Sequence, residues 1–158
     1  MTIETVNYQN IDDAARIHSV SWQESHRAFC TEKFVRAHTP EQQKEYLLAK
    51  MQQGTAVYIL WDDAPVAIVS VTGSIIEDLY VLPEYQRRGY GTHLLNWAVN
   101  CCTETPTLWV LDNNDRAKRL YEKYGFNKTG NVHQLTEKLS EIEFSLKSGE
   151  VINDRNRS

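Results

Sequence analysis

"IIEDLYVLPEYQRRGYGTHLL" (residues 75–95) runs from an apolar strand-like segment, through a loop, into an apolar helical segment. The loop holds two arginines and two glycines. A helix N-terminus presents free backbone N–H groups and the positive end of the helix dipole. Gly89 and Gly91 let the backbone approach a ligand with no Cβ in the way. Gln86, Arg87 and Arg88 add donors. Together these parts suit a pyrophosphate. On the loop alone, nucleic acid and a ligand-free glycine turn with solvated arginines stay open. The spacing matches neither GxxxxGK[ST] nor GxGxxG.

Outward from this junction the period of the pattern alternates between helix and strand. Residues 2–8 alternate weakly, as an edge strand would. Asn10 is placed to cap a first helix, with Asp12 and Asp13 in its first turn and Ile11, Ala14, Ala15, His18 and Trp22 near one face. "TPEQ" starts a second helix, with Thr39 as cap, Pro40 at the first position and a stop near Gly54. "AVYILW" and "VAIVSV" form an antiparallel hairpin about the turn at 62–65. "IIEDLYVL" is the next strand. The helix after the loop carries Leu94, Leu95, Ala98, Val99 and Cys102 on one side. "TLWVLD" is a strand, and "NDRAKRLYEKYG" a helix with Asn113 or Asn114 as cap and Gly125 as stop. "FNKTGNVHQL" and "EIEFSL" close the order β, α, α, β, β, β, α, β, α, β, β. An α/β (α+β) chain results, its mixed sheet covered by helices on both faces.

The bulk properties set limits. At 158 residues the chain suits one domain. A net charge of −4 gives no general reason to bind nucleic acid or an anionic membrane. No apolar run approaches the roughly 20 residues that span a bilayer, and "MTIETVNYQN" lacks the features of a signal peptide. Cys30, Cys101 and Cys102 are an odd set with an adjacent pair, which argues against a disulfide framework. Cytoplasmic residence is the default expectation. Cys101 and Cys102 follow an apolar stripe as packing residues. His18 and His26 lack an HxxxH partner, so no metal site is expected.

The stretch "DLYVLPEYQRRGYGTHLL" closely resembles motif A of the Gcn5-related N-acetyltransferases, whose core [QR]-x-x-G-x-[GA] is matched by Gln86, Gly89 and Gly91. "LDNNDRAKRLYEKYGF" resembles their motif B. The element order agrees over roughly residues 2–147. The resemblance implies a GNAT fold: a mostly antiparallel sheet of six to seven strands, a splayed central parallel pair and four helices. It implies one domain over 1–147, followed by a polar tail over 148–158 that is expected to fray.

By the same resemblance the chain is an acetyl-CoA-dependent N-acetyltransferase. It would move an acetyl group to the primary amine of a small molecule, peptide or protein by direct attack in a ternary complex. The loop backbone of Arg87, Arg88, Gly89, Tyr90, Gly91 and Thr92 would receive the CoA phosphates, with Arg87 or Arg88 near the 3′-phosphate. Leu79 and Val81 match the positions where the splayed strand accepts pantetheine like an added strand. The Val81 N–H would stabilise the thioester oxygen as it gains charge. Tyr121 matches the general acid that protonates the departing thiolate, with Tyr124 as fallback. Asn114 matches a cofactor-contacting asparagine or caps the helix. Glu77 is the candidate base for the amine, and strand alternation should send Asp78 to the opposite face. Members that act on histone lysines carry their glutamate two residues earlier, where this chain has Ile75, so a histone-type mechanism is not implied. The acceptor would lie between the first two helices and the splayed strands. Trp22, His26 and Phe29 would line its wall, and Glu24 or Glu32 would attract a cation. A non-catalytic acyl-CoA-binding or regulatory module is the alternative, and a homodimer stays open.

Overall fold

The protein is described by a computed structural model covering residues 1–147; the expected polar tail lies outside the described residues. The elements are β1 (Thr2–Thr5), α1 (Ile11–His26), α2 (Glu32–Arg36), α3 (Pro40–Gln52), β2 (Ala56–Trp61), β3 (Pro65–Thr72) and β4 (Ile75–Val81). Next come a 3-10 turn (Pro83–Tyr85), α4 (Tyr90–Cys101), β5 (Thr107–Leu111), α5 (Asp115–Tyr124), β6 (Asn127–Gln134) and β7 (Ser140–Ser145). One seven-stranded sheet runs β1-β2-β3-β4-β5-β7-β6. Every neighbouring pair is antiparallel except β4 and β5. This is the expected mixed sheet, but with five α-helices among the described residues rather than four. The unforeseen α2 has five residues, too few for a period to show. Its start is a local cap, with Thr31 Oγ1 accepting from the Phe34 N–H at 3.2 Å.

The other helix starts divide. Thr39 caps α3 as "TPEQ" predicts, its hydroxyl accepting from the Gln42 N–H at 3.2 Å. Asn114 rather than Asn113 caps α5, accepting from the Ala117 N–H. Asn10 makes no side-chain cap for α1. Its amide turns back instead, accepting from the Asn7 N–H at 2.7 Å and donating to the Thr5 carbonyl at 3.2 Å. That ties the end of β1 to the helix start.

Helices cover both faces of the sheet. Leu94, Leu95, Ala98 and Val99 of α4, with Tyr121 of α5, pack in one core cluster. Ile11, Ala14 and Ile17 of α1, with Leu47 of α3, form the other. β3, buried on both sides, therefore reads as an unbroken apolar run.

Two irregularities in β4 break the regularity of the sheet. β4 and β5 pair only at Ile75 with Thr107 and Ile76 with Leu108. Beyond these residues no ladder joins them, and the strands part. On the other side of β4 the register slips: Ile68 faces Tyr80 and Ser70 faces Glu77. Asp78 and Leu79 thus stand opposite Val69 alone, a β-bulge, with Asp78 at φ +52°.

Candidate active site

The parted strands leave a cleft of about 1020 Å³, walled by β4, β5, the β4–α4 loop and α5. The loop enters α4 through Gly89 at φ +87°, which favours glycine. Arg87 also adopts the left-handed region, at φ +66°. Successive turns of this kind turn backbone N–H groups toward a common point and suit an anion. Gly91 has an ordinary helical backbone. A Cβ there would meet Leu120 and Val81 only at ordinary contact distance.

Loop side chains are used differently from one another. Arg87 lines the cleft. Arg88 instead places its guanidinium 5.5 Å from the Tyr85 ring centroid. Tyr90 turns its hydroxyl to Asp62 in the β2–β3 turn, so it offers the cleft no side chain. The Gln86 amide is engaged at both ends: Nε2 donates to the Val81 carbonyl at 3.0 Å, and Oε1 accepts from Arg116 at 2.6 Å. Gln86 therefore braces the loop between β4 and α5. Arg116, Arg119 and Lys123 of α5 bring further positive charge to the cleft wall. Their pattern in sequence is that of any solvated helix face, so sequence reasoning passes them over.

Val81 has its expected direction. The Leu82 N–H donates to Val66 on β3 at 2.9 Å. In an antiparallel ladder bonded and unbonded residues alternate, so the preceding Val81 N–H points the other way, into the gap. Leu79 and Val81 both line the cleft. Tyr121 lies across from them, 9% exposed, edge-on to Phe126, and its hydroxyl has no hydrogen-bond partner among the described residues. Burial, and then the charge of Asp78, push its hydroxyl up to about 12. It is fully protonated at neutral pH. Tyr124 donates to Asn96 at 2.7 Å and does not line the cleft. Asn114 lines it while capping α5.

The bulge overturns the expected separation of Glu77 and Asp78. Both carboxylates face Lys50 of α3, whose Nζ lies 2.9 Å from Glu77 and 3.2 Å from Asp78. The extra residue cancels the alternation that would send Asp78 through to the other face. Glu77 also accepts from Thr72 at 3.1 Å. Asp78 accepts from the Tyr46 hydroxyl at 3.1 Å, and His18 Nε2 stands 3.5 Å from it. Burial alone would raise the Asp78 carboxyl; His18 and Lys50 more than offset this and hold it at about 2. Burial opposes the Lys50 ammonium, yet Asp78 and Glu77 outweigh it and shift Lys50 upward. Lys50 and Tyr46 are the residues sequence reasoning misses. Their only signal is an i,i+4 spacing on α3.

Of the expected acceptor wall, Glu24 and His26 line the cleft, while Trp22 lines a neighbouring cavity. Glu32 is occupied by Arg36 and Arg27, at 3.1 and 3.7 Å. Neither Glu32 nor Phe29 reaches either cavity.

Residues 43–128 match the family model described as an acetyltransferase (GNAT) domain, and the chain belongs to that family. An acetyltransferase of Stachybotrys chartarum is 34% identical over 62 residues, which are 39% of this chain and 27% of that protein. The match thus spans about a quarter of that relative's length. Among solved structures, PaiA N-acetyltransferase of Thermoplasma acidophilum, in complex with coenzyme A, superposes with a TM-score of 0.71 at 19% identity, over 92% of this chain and 99% of that one. A mutant of the spermidine N-acetyltransferase SpeG of Vibrio cholerae gives 0.71 at 14% identity, over 98% and 99%. YncA of Salmonella typhimurium, with its cofactor acetyl-CoA, gives 0.66 at 18% identity, over 93% of each chain. At these identities the likeness is one of fold. No helix among the described residues is long and apolar enough to cross a membrane.

Proposed function

We propose that the chain transfers an acetyl group from acetyl-CoA to a primary amine by direct attack within a ternary complex. The observation that carries this reading is the gap between β4 and β5, with the Val81 N–H aimed into it and the buried Tyr121 hydroxyl on its far wall. The gap fits an extended pantetheine, and the left-handed loop before α4 fits a pyrophosphate. Acetyl-CoA supplies the activated acetyl group. Backbone N–H groups of the loop from Arg87 to Thr92, with the Arg87 side chain, hold the phosphates. The Val81 N–H donates to the thioester oxygen as that oxygen gains negative charge, a kind of contact worth on the order of 10²–10³ in rate. Tyr121 gives its proton to the departing thiolate. Glu77 takes the proton that the acceptor ammonium must lose before its nitrogen can attack. Asp78, held ionised, keeps Lys50 in place beside Glu77.

The test is release of CoA thiol from acetyl-CoA with a panel of alkylamines, polyamines, amino acids and peptides. Transfer to at least one class is expected. Tyr121→Phe is expected to lower kcat on the order of 10²-fold, the scale of a lost general acid, with CoA affinity kept. Tight acetyl-CoA binding with no transfer to any amine would leave an acyl-CoA-binding module and end the enzyme reading.

A further inference from the structure

The Gln86 amide reaches beyond its own loop. In an antiparallel ladder the N–H and C=O of one residue point to the same side. The Leu82 N–H bonds to Val66 on β3, so both backbone groups of Val81 face the gap. The Val81 N–H is aimed into it, whereas the Val81 C=O is taken by Gln86 Nε2 at 3.0 Å. Gln86 Oε1 in turn accepts from Arg116 Nη1 at 2.6 Å. Arg116 stands in the first turn of α5, the helix that carries Tyr121. Two side-chain hydrogen bonds in series therefore cross from the Val81 peptide to α5.

Backbone pairing does not fix that separation. The ladder between β4 and β5 ends at Ile76 and Leu108, well short of Val81. The bulge at Asp78 and Leu79 interrupts the ladder to β3 as well. The width of the gap at Val81 is thus set by side chains. Apolar packing supplies contact without direction; the two hydrogen bonds supply direction. Tyr121 lies five residues beyond Arg116, about 7.5 Å further along the helix axis. Holding one end of α5 against Val81 therefore also sets where the Tyr121 hydroxyl stands.

Helix stability and ion pairing leave the place of Arg116 unexplained. A cation in the first turn of a helix works against the helix dipole. The nearby carboxylates Asp112 and Asp115 pair with Lys118, at 3.3 and 3.5 Å, rather than with Arg116. Arg116 gives its short bond to a neutral amide instead.

We propose that Arg116, acting through Gln86, is a positioning residue for acetyl transfer. It holds the Val81 peptide at a fixed distance from α5, and so keeps the Val81 N–H in register with the Tyr121 hydroxyl on the far wall. Neither Arg116 nor Gln86 needs to touch the acetyl group or the amine. The inference rests on the acetyl-transfer reading.

Steady-state kinetics with the best amine of the panel, beside calorimetric titration with CoA, tests it. Misplacing reacting groups by about 1 Å costs on the order of 10² in rate, and an exposed brace holds only part of that, so Arg116→Ala is expected to lower kcat about tenfold. CoA affinity is expected to stay within about twofold of wild type, since the loop and its phosphate-facing backbone remain. Gln86→Leu should match Arg116→Ala, and the double variant should be no slower than the slower single, because two bonds in series are broken once. Arg116→Lys should recover part of the loss, since an ammonium can donate to the same Oε1. If Gln86→Leu does not fold, the two substitutions of the exposed Arg116 decide alone. Weaker CoA binding at unchanged kcat would make Arg116 a phosphate contact and overturn the proposal. Losses that add in the double variant, or an Arg116→Lys variant no better than Arg116→Ala, would overturn it too. Wild-type transfer that Arg116→Ala leaves unchanged removes this inference alone. No wild-type transfer to any amine removes the acetyl-transfer reading, and the positioning role with it.

Discussion

Asp78 sits at φ +52°, where a residue with a Cβ rarely rests. Aspartate tolerates that region better than most, and here Lys50, Tyr46 and His18 hold the side chain in place. The same partners make it a pH-dependent support. Its carboxyl is held at about 2 in the folded chain, below the unfolded value of about 3.9. The stabilisation is therefore complete above roughly pH 4 and is lost as pH falls toward 2. It amounts to about 2 kcal/mol for a group this well buried. Urea unfolding from pH 7 down to pH 2 should show that loss in the wild-type chain. Asp78→Asn should be less stable at pH 7 by a similar amount and should lose less on acidification. Nothing in "IIEDLYV" announces this residue. No glycine marks the bulge, and without it alternation separates Glu77 from Asp78. The carboxylate pair is created by a backbone irregularity that side-chain periodicity does not encode.

At the scale of the element, the β4–α4 junction shows what local sequence encodes and what it leaves to tertiary partners. Gly89 was legible because its φ of +87° is a backbone demand that glycine meets. Arg87 makes the same demand at +66° with a Cβ in place, a strain on the order of 1 kcal/mol. Arg87→Gly is thus expected to raise the unfolding free energy by up to about 1 kcal/mol while weakening CoA binding, since the guanidinium is lost from the cleft. Thermal unfolding and titration calorimetry on the one variant would show the opposite signs; a drop in stability would contradict the assigned backbone. Gln86 and Arg88 read as side-chain donors in sequence, yet their side chains are drawn to Arg116 and Tyr85. Those partners come from other elements, and no local pattern names them. The caps of α3 and α5 were legible because a cap is closed within three residues. The short α2 offered no period to find.

Across the whole molecule, the element order and the two-faced sheet followed from periodicity, because burial on one face or two is written at each position. The long-range polar meeting of α1, α3 and β4 was not, since His18, Lys50 and Asp78 are each unremarkable where they stand in the chain. The most consequential whole-molecule feature is that β4 is laced to β3 along its length but to β5 at only two positions. Neighbouring amides in one stretch of chain should therefore trade hydrogen for deuterium at different speeds. Leu82, bonded to Val66, should be slow with or without CoA. Val81, facing the gap, should be fast in the free chain and slow once CoA fills it. On the reading proposed above, the sheet is left open in its middle, and the strand that closes it is supplied by the substrate rather than by the gene.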